Sequence, residues 1–162
     1  MFGTVWFQAA HDLIKAVYRM RTALHSVRRP FMSAGEFPEG YNPLTDNQAV
    51  ATQYAYVARL RAVDAASIEL DTAAIEAEVI WGNKTQRLVE DLMLCRNKLI
   101  LSIELHLRHL AEKTGKPEPE ANQNTLYAIN DLGKDTDQYS DNLSSAISAL
   151  EAFSRPYLDL SP

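Results

Sequence analysis

From Trp6 onward, apolar or small side chains recur at Trp6, Ala10, Leu13, Val17, Met20, Leu24 and Val27, with spacings of four and three in alternation. That spacing keeps one narrow stripe on one side of a helix, so it predicts a first helix whose seam faces a partner helix. Pro30 ends the pattern, and Arg28 and Arg29 fall in the last turn, where positive charge suits the exposed carbonyls. A second stripe of the same kind runs through Tyr56, Leu60, Val63, Ser67, Leu70, Ala74, Ala77 and Trp81. Thr45 and Gln48 have the spacing of a capping box and mark the start of that helix. Gly82 and Asn83 supply a C-cap and a restart.

A third helix is expected from about Thr85 to Lys113. Its seam residues Leu88, Leu92, Cys95, Leu99, Ile103, Leu107 and Leu110 are joined by Val89, Met93, Leu94, Ile100 and Leu105. So wide an apolar face predicts the central, most buried helix of the fold. Gly115, Pro117 and Pro119 end it and imply a loop over 114–123. Asn124 to Leu132 reads as a short helix closed by Gly133. A last helix, starting between Thr136 and Ser140, carries Tyr139, Leu143, Ile147, Leu150 and Phe153 on one side and is expected to end before Pro156. The expected fold is all-α: an antiparallel up-and-down bundle of about four long helices with a short extra helix before the last, forming a single helical-bundle domain over 1–162.

The segment 30–44 contains three prolines and two glycines, which no helix would accommodate. Its aromatics Phe31, Phe37 and Tyr41 predict an ordered loop strapped over the bundle, because a purely flexible linker would be polar.

With 162 residues, 46% of them hydrophobic and 23% charged, the chain can bury a core without disulfide or metal staples. Cys95 is its one cysteine, which excludes an internal disulfide and fits a reducing, cytoplasmic setting. No apolar run reaches the length of a membrane span, and the first residues lack the pattern of a secretory signal. A net charge of −5 argues against a surface that grips a nucleic-acid backbone over a broad area. By segment the net charge alternates: +4 over 1–29, −6 over 30–80, +3 over 81–116 and −6 over 117–162. Helices adjacent in a bundle therefore meet with opposite sign.

Chemistry-bearing patterns are sparse. His106, His109 and Glu112, three apart on the third helix, could turn two imidazoles and a carboxylate toward one Zn, Fe or Ni ion, but they lack the paired glutamate and Glu-x-x-His pattern of dinuclear bundles. A solvent-edge position for both histidines is the expectation, with no metal and no cofactor. Gly82-Asn83-Lys84-Thr85 lacks the upstream glycine and strand of a phosphate loop. Cys95 lies on the apolar face, where a thiolate is disfavoured. The acidic residues Glu69, Asp71, Glu76 and Glu78 spread over outer faces of the second helix.

Arg19 and His25, with five residues between them, resemble the arginine-to-histidine spacing of the HEPN class of helical ribonucleases, which are also bundles. The resemblance implies RNA cleavage by those two side chains. It covers that spacing only. Met20 stands where a polar residue usually follows the arginine, and the pair falls on the first helix rather than a late one.

Phe2, Val5, Trp6 and Phe7 crowd both sides of the first helical turns, where a bundle end is normally polar. The basic residues Lys15, Arg19, Arg21, Arg28 and Arg29 follow them, as on the cytosolic side of a membrane segment. These four apolar residues are the expected interaction site. The expected function is a non-enzymatic helical interaction or oligomerisation module, cytoplasmic or tethered to the inner face of a membrane. Its partner would be itself, another helical protein or, through the N-terminus, a membrane surface. A metal- or ligand-binding bundle and a HEPN-like ribonuclease are the alternatives.

Overall fold

The computed structural model of the chain describes residues 2–128 and 137–160, the side chain of Phe2 excepted. Among the described residues all regular structure is helical: α1 (Phe2–Val27), α2 (Gln48–Trp81), α3 (Asn83–Glu112), α4 (Glu120–Leu126) and α5 (Gln138–Leu158), with a single 3-10 turn at Ala34–Glu36. Helices α1 and α3 each pack against α2 and α5. Arg28, just past the end of α1, meets Asp137 at the start of α5, whereas Trp6 near the start of α1 meets Tyr157 near the end of α5. Neighbouring long helices therefore run antiparallel. The short α4 covers one end, lying mainly on α3 and also touching α5.

The heptad stripes form the core. Ala10, Leu13, Val17, Met20, Leu24 and Val27 of α1 are fully buried, as are Val63, Leu70 and Ala77 of α2, Leu92 and Leu99 of α3 and Leu150 of α5. Trp6 departs from its stripe. It stands 37% exposed at the bundle's end, with its ring edge on Tyr157 at a centroid distance of 6.0 Å, because the core has run out one turn from the helix start. The expectation that the third helix is the most buried is also corrected. Helix α1 adds Ala9, Ile14, Ala16 and Ala23 to its buried set, while α3 leaves Leu94, Leu101 and Leu105 exposed. Of the extra apolar residues on α3, Val89 joins the core and Met93 packs against it, whereas Leu94 and Leu105 widened the pattern without adding to the core face.

Several boundaries shift for local reasons. Asn47, not the Thr45 and Gln48 pair, caps α2, its side-chain oxygen accepting from the N–H groups of Ala49 and Val50. Gly82 ends α2 with φ 76° and ψ −162°, a backbone region open to little besides glycine, so α2 and α3 form a tight antiparallel hairpin. The short helix lies earlier than expected, at Glu120–Leu126, which shortens the 114–123 loop; Tyr127, expected inside it, is extended, and the expected segment from 129 through Leu132 and Gly133 lies outside the described residues, as does Thr136. Helix α5 runs past Pro156 to Leu158. The proline loses one N–H bond, and Tyr157, in contact with Trp6, Trp81 and Phe153, helps hold the final turn in place.

Candidate functional site

At the end of the bundle where α1 finishes, two buried arginines hold the connecting segments. Arg28, 2% exposed, spreads its guanidinium donors over distant acceptors. Its Nε donates to the carbonyl of Thr125 at 2.9 Å and its Nη1 to the Ser140 hydroxyl at 2.9 Å. Its Nη2 donates to the carbonyls of Tyr127 at 2.8 Å and Asn124 at 3.2 Å, and to Asp137 at 3.0 Å. The Tyr139 ring lies 4.2 Å from the guanidinium carbon. Burial pushes the Asp137 carboxyl up, but hydrogen bonds from Arg28 and Ser140 outweigh it and hold the group below its ordinary value.

Arg59 of α2 does the same for the segment after α1. It donates to the carbonyls of Val27, Arg29 and Phe31 at 3.1, 3.0 and 2.9 Å, and to both carboxylate oxygens of Glu36. These bonds from Arg59 lead in lowering the Glu36 pKa to about 2, against the opposing effect of burial. The start of the 30–44 loop is thus fastened by a polar clamp rather than by its aromatics. Phe31 is 76% exposed, and Phe37 and Tyr41 pack mainly on each other, 5.0 Å apart.

The histidines of α3 separate. His106 is not at the solvent edge: its Nδ1 lies 2.8 Å from Glu118, with the edges of Tyr56 and Tyr127 at 6.1 and 6.3 Å. Asn122 donates to the other Glu118 oxygen at 2.7 Å and to the carbonyl of Ser102 at 3.2 Å, which fastens α4 to α3. Burial raises the pKa of both tyrosines above the ordinary phenol value. His109 is half-buried and Glu112 exposed. Among the described residues no group of three or more His, Cys, Asp or Glu side chains is placed to hold a metal ion. Burial likewise pushes the Cys95 thiol up.

An open groove of about 840 Å³ lies along α1 and α2, with Ala23, Ala62 and Ala66 among its lining residues. Arg19 is on its wall and bridges to the carboxylate of Glu69 at 2.7 and 2.8 Å. His25 is exposed, six positions further along α1, which turns it roughly 240° around the helix from Arg19. The structure therefore brings Arg19 to Glu69 and leaves His25 on another face.

At the N-terminus Val5 is exposed and Phe7 is half-buried, stacking on His11 at 5.9 Å. The 30–44 loop sits at the opposite end of α1, tied to Val27 and Arg29 through Arg59, and does not cover them.

A further apolar surface lies on the second helix. On α2, Val50, Tyr54, Val57, Ile68, Ile75 and Val79 all leave half or more of their surface in solvent, Val79 as much as 82%. At 100° per residue these six fall within a sector of about 60°, and the buried residues of the same helix, such as Ala55, Arg59, Val63, Leu70 and Ala77, lie on the opposite side. Arg61, Asp64 and Thr72 complete the outer line. Sequence reasoning passed over this stripe, although its register of four and three is as regular as that of the core. The two apolar lines of α2 together make the helix look uniformly apolar.

The fold and its surfaces thus define an all-α bundle closed at one end by buried arginines and apolar on the outside of one long helix. No family model, curated protein or solved structure matches this chain. Among the described residues, no helix is long and apolar enough to cross a membrane.

Proposed function

We propose that the protein is a helical interaction module whose docking surface is the outer face of α2. The observation that carries this reading is the second apolar stripe, with six large side chains exposed directly opposite the core-facing line of the same helix. Scattered apolar residues on a surface are ordinary; six large ones on one line over about 43 Å of helix, interrupted by Arg61, Asp64 and Thr72, mark a place where another surface sits. The N-terminal patch of Val5, Trp6 and Phe7 is a smaller second surface, and any contact with lipid would be made there.

The buried polar groups support a non-catalytic reading by their geometry. Arg28, Arg59 and His106 are engaged with backbone carbonyls or carboxylates that fasten loops and α4 to the bundle, so their work is structural. Replacing Val57, Ile68 and Ile75 together with glutamine tests the reading. The variant is expected to keep its helical circular dichroism and cooperative unfolding, because none of the three side chains belongs to the core. Loss of folding would make the stripe part of the fold and end its claim as a docking surface.

A further inference from the structure

Resting on that reading, we infer that the occupant of the α2 stripe is a second copy of this chain, with the two α2 helices antiparallel and related by a two-fold axis near residues 62 and 63. Charge placement along the outer line selects this arrangement. The line reads Val50, Tyr54, Val57, Arg61, Asp64, Ile68, Thr72, Ile75 and Val79, with one basic and one acidic residue flanking its midpoint. Antiparallel pairing about that midpoint sets Arg61 opposite the second copy's Asp64, and the two-fold axis repeats the pair. The same register places Val57 opposite Ile68 and Val50 opposite Ile75, two apolar pairs on each side of the axis, and sets Tyr54 beside Asp71 and Thr72.

The flanking charges agree. Asp71, Glu76 and Glu78 all lie in the C-terminal half of α2, whereas the stretch from Gln48 to Arg61 contains no acidic residue. Antiparallel pairing brings the acidic part of each helix against that stretch. Parallel pairing would stack Asp64 on Asp64 and gather the acidic flanks together, an arrangement that like-charge repulsion opposes.

The end of the seam has a seat. In this register Val79 reaches past the start of the opposing α2 to the level of Asp46. There a shallow cavity of about 200 Å³ is lined by Pro38, Tyr41, Asp46, Asn47, Val50 and Ala51. It is roomy enough for an isopropyl group, and Arg59 fixes the first part of the loop that forms one wall.

Sedimentation equilibrium of the full chain with charge-exchanged variants tests the inference. Arg61 and Asp64 are both exposed on the helix, so neither exchange touches the core. The native chain is expected to sediment at twice its 18.2 kDa mass. Arg61→Asp alone and Asp64→Arg alone should each weaken association by roughly tenfold or more, since each sets like charges together at two symmetry-related places. The double variant, in which the charges are exchanged but again opposite, should recover most of the loss. A monomeric native chain, a dimer indifferent to both single changes, or a double variant no better than the singles would each overturn the inference. These outcomes are separate from the failure of the docking reading, which is loss of folding in the glutamine variant.

Discussion

A single guanidinium decides how one end of the molecule is built. Arg28 reads in the sequence as a helix-end charge, a role that many exposed arginines fill at little energetic consequence. Its partners Thr125 and Ser140 lie 97 and 112 residues away, and no spacing rule joins positions so distant. Truncating it to methionine strands the Asp137 carboxylate and three carbonyls in a buried setting, at an expected cost of about 3–5 kcal/mol in urea unfolding. Lysine should rescue little of it, because an ammonium cannot span acceptors arranged around a planar fork. Glu36 gives a second residue-scale expectation. Its carboxyl is held at about 2 in the fold against an ordinary value of 4.5, so its contribution is complete above about pH 5 and disappears as the pH falls toward 2. Unfolding midpoints measured between pH 6 and pH 2.5 should therefore decline more steeply in the native chain than in Glu36→Gln, whose curve lacks this carboxylate.

Elements were legible where one periodicity dominated and obscure where two overlapped. Helix α1 carries a single stripe, and from Ala10 to Val27 every member of that stripe is buried. Helix α2 carries one stripe of Tyr56, Val63, Leu70 and Ala77 toward the core and another of Val57, Ile68 and Ile75 toward solvent. The first is legible because a bundle core requires such a stripe; the second is not, because no neighbouring element in the chain requires it. Helix α3 differs from its sequence pattern for a related reason, since Leu94 and Leu105 lie on its outer side and make its face look wider than the part that packs. The α2 to α3 hairpin depends on Gly82, whose φ of 76° and ψ of −162° suit almost no side chain. Outside the adjoining backbone, no described atom lies within 4 Å of the place a Cβ would occupy, so Gly82→Ala probes backbone strain alone. An expected loss of about 1–3 kcal/mol should appear as a lowered melting temperature with helical content retained.

At the scale of the molecule, the two ends of the bundle and its side have different characters. One end is closed by Arg28, Arg59 and the His106 to Glu118 pair, and the other by the rings of Trp6, Trp81, Phe153 and Tyr157. The alternating segment charges reappear across the α1 to α2 seam, where Arg19 meets Glu69. The all-α bundle could be read from heptads because core packing is written locally and repeatedly. The docking face could not be assigned in the same way, because an apolar stripe becomes a site only when the fold leaves it uncovered. A chain that dimerises through such a face is stabilised by mass action, and its melting temperature must rise with concentration. Thermal unfolding of the native chain and of the Val57, Ile68 and Ile75 glutamine variant should therefore be compared over about a hundredfold range of protein concentration. The account predicts a midpoint that climbs with concentration in the native chain and stays flat in the variant. Flat midpoints in both, or the same rise in both, would contradict it.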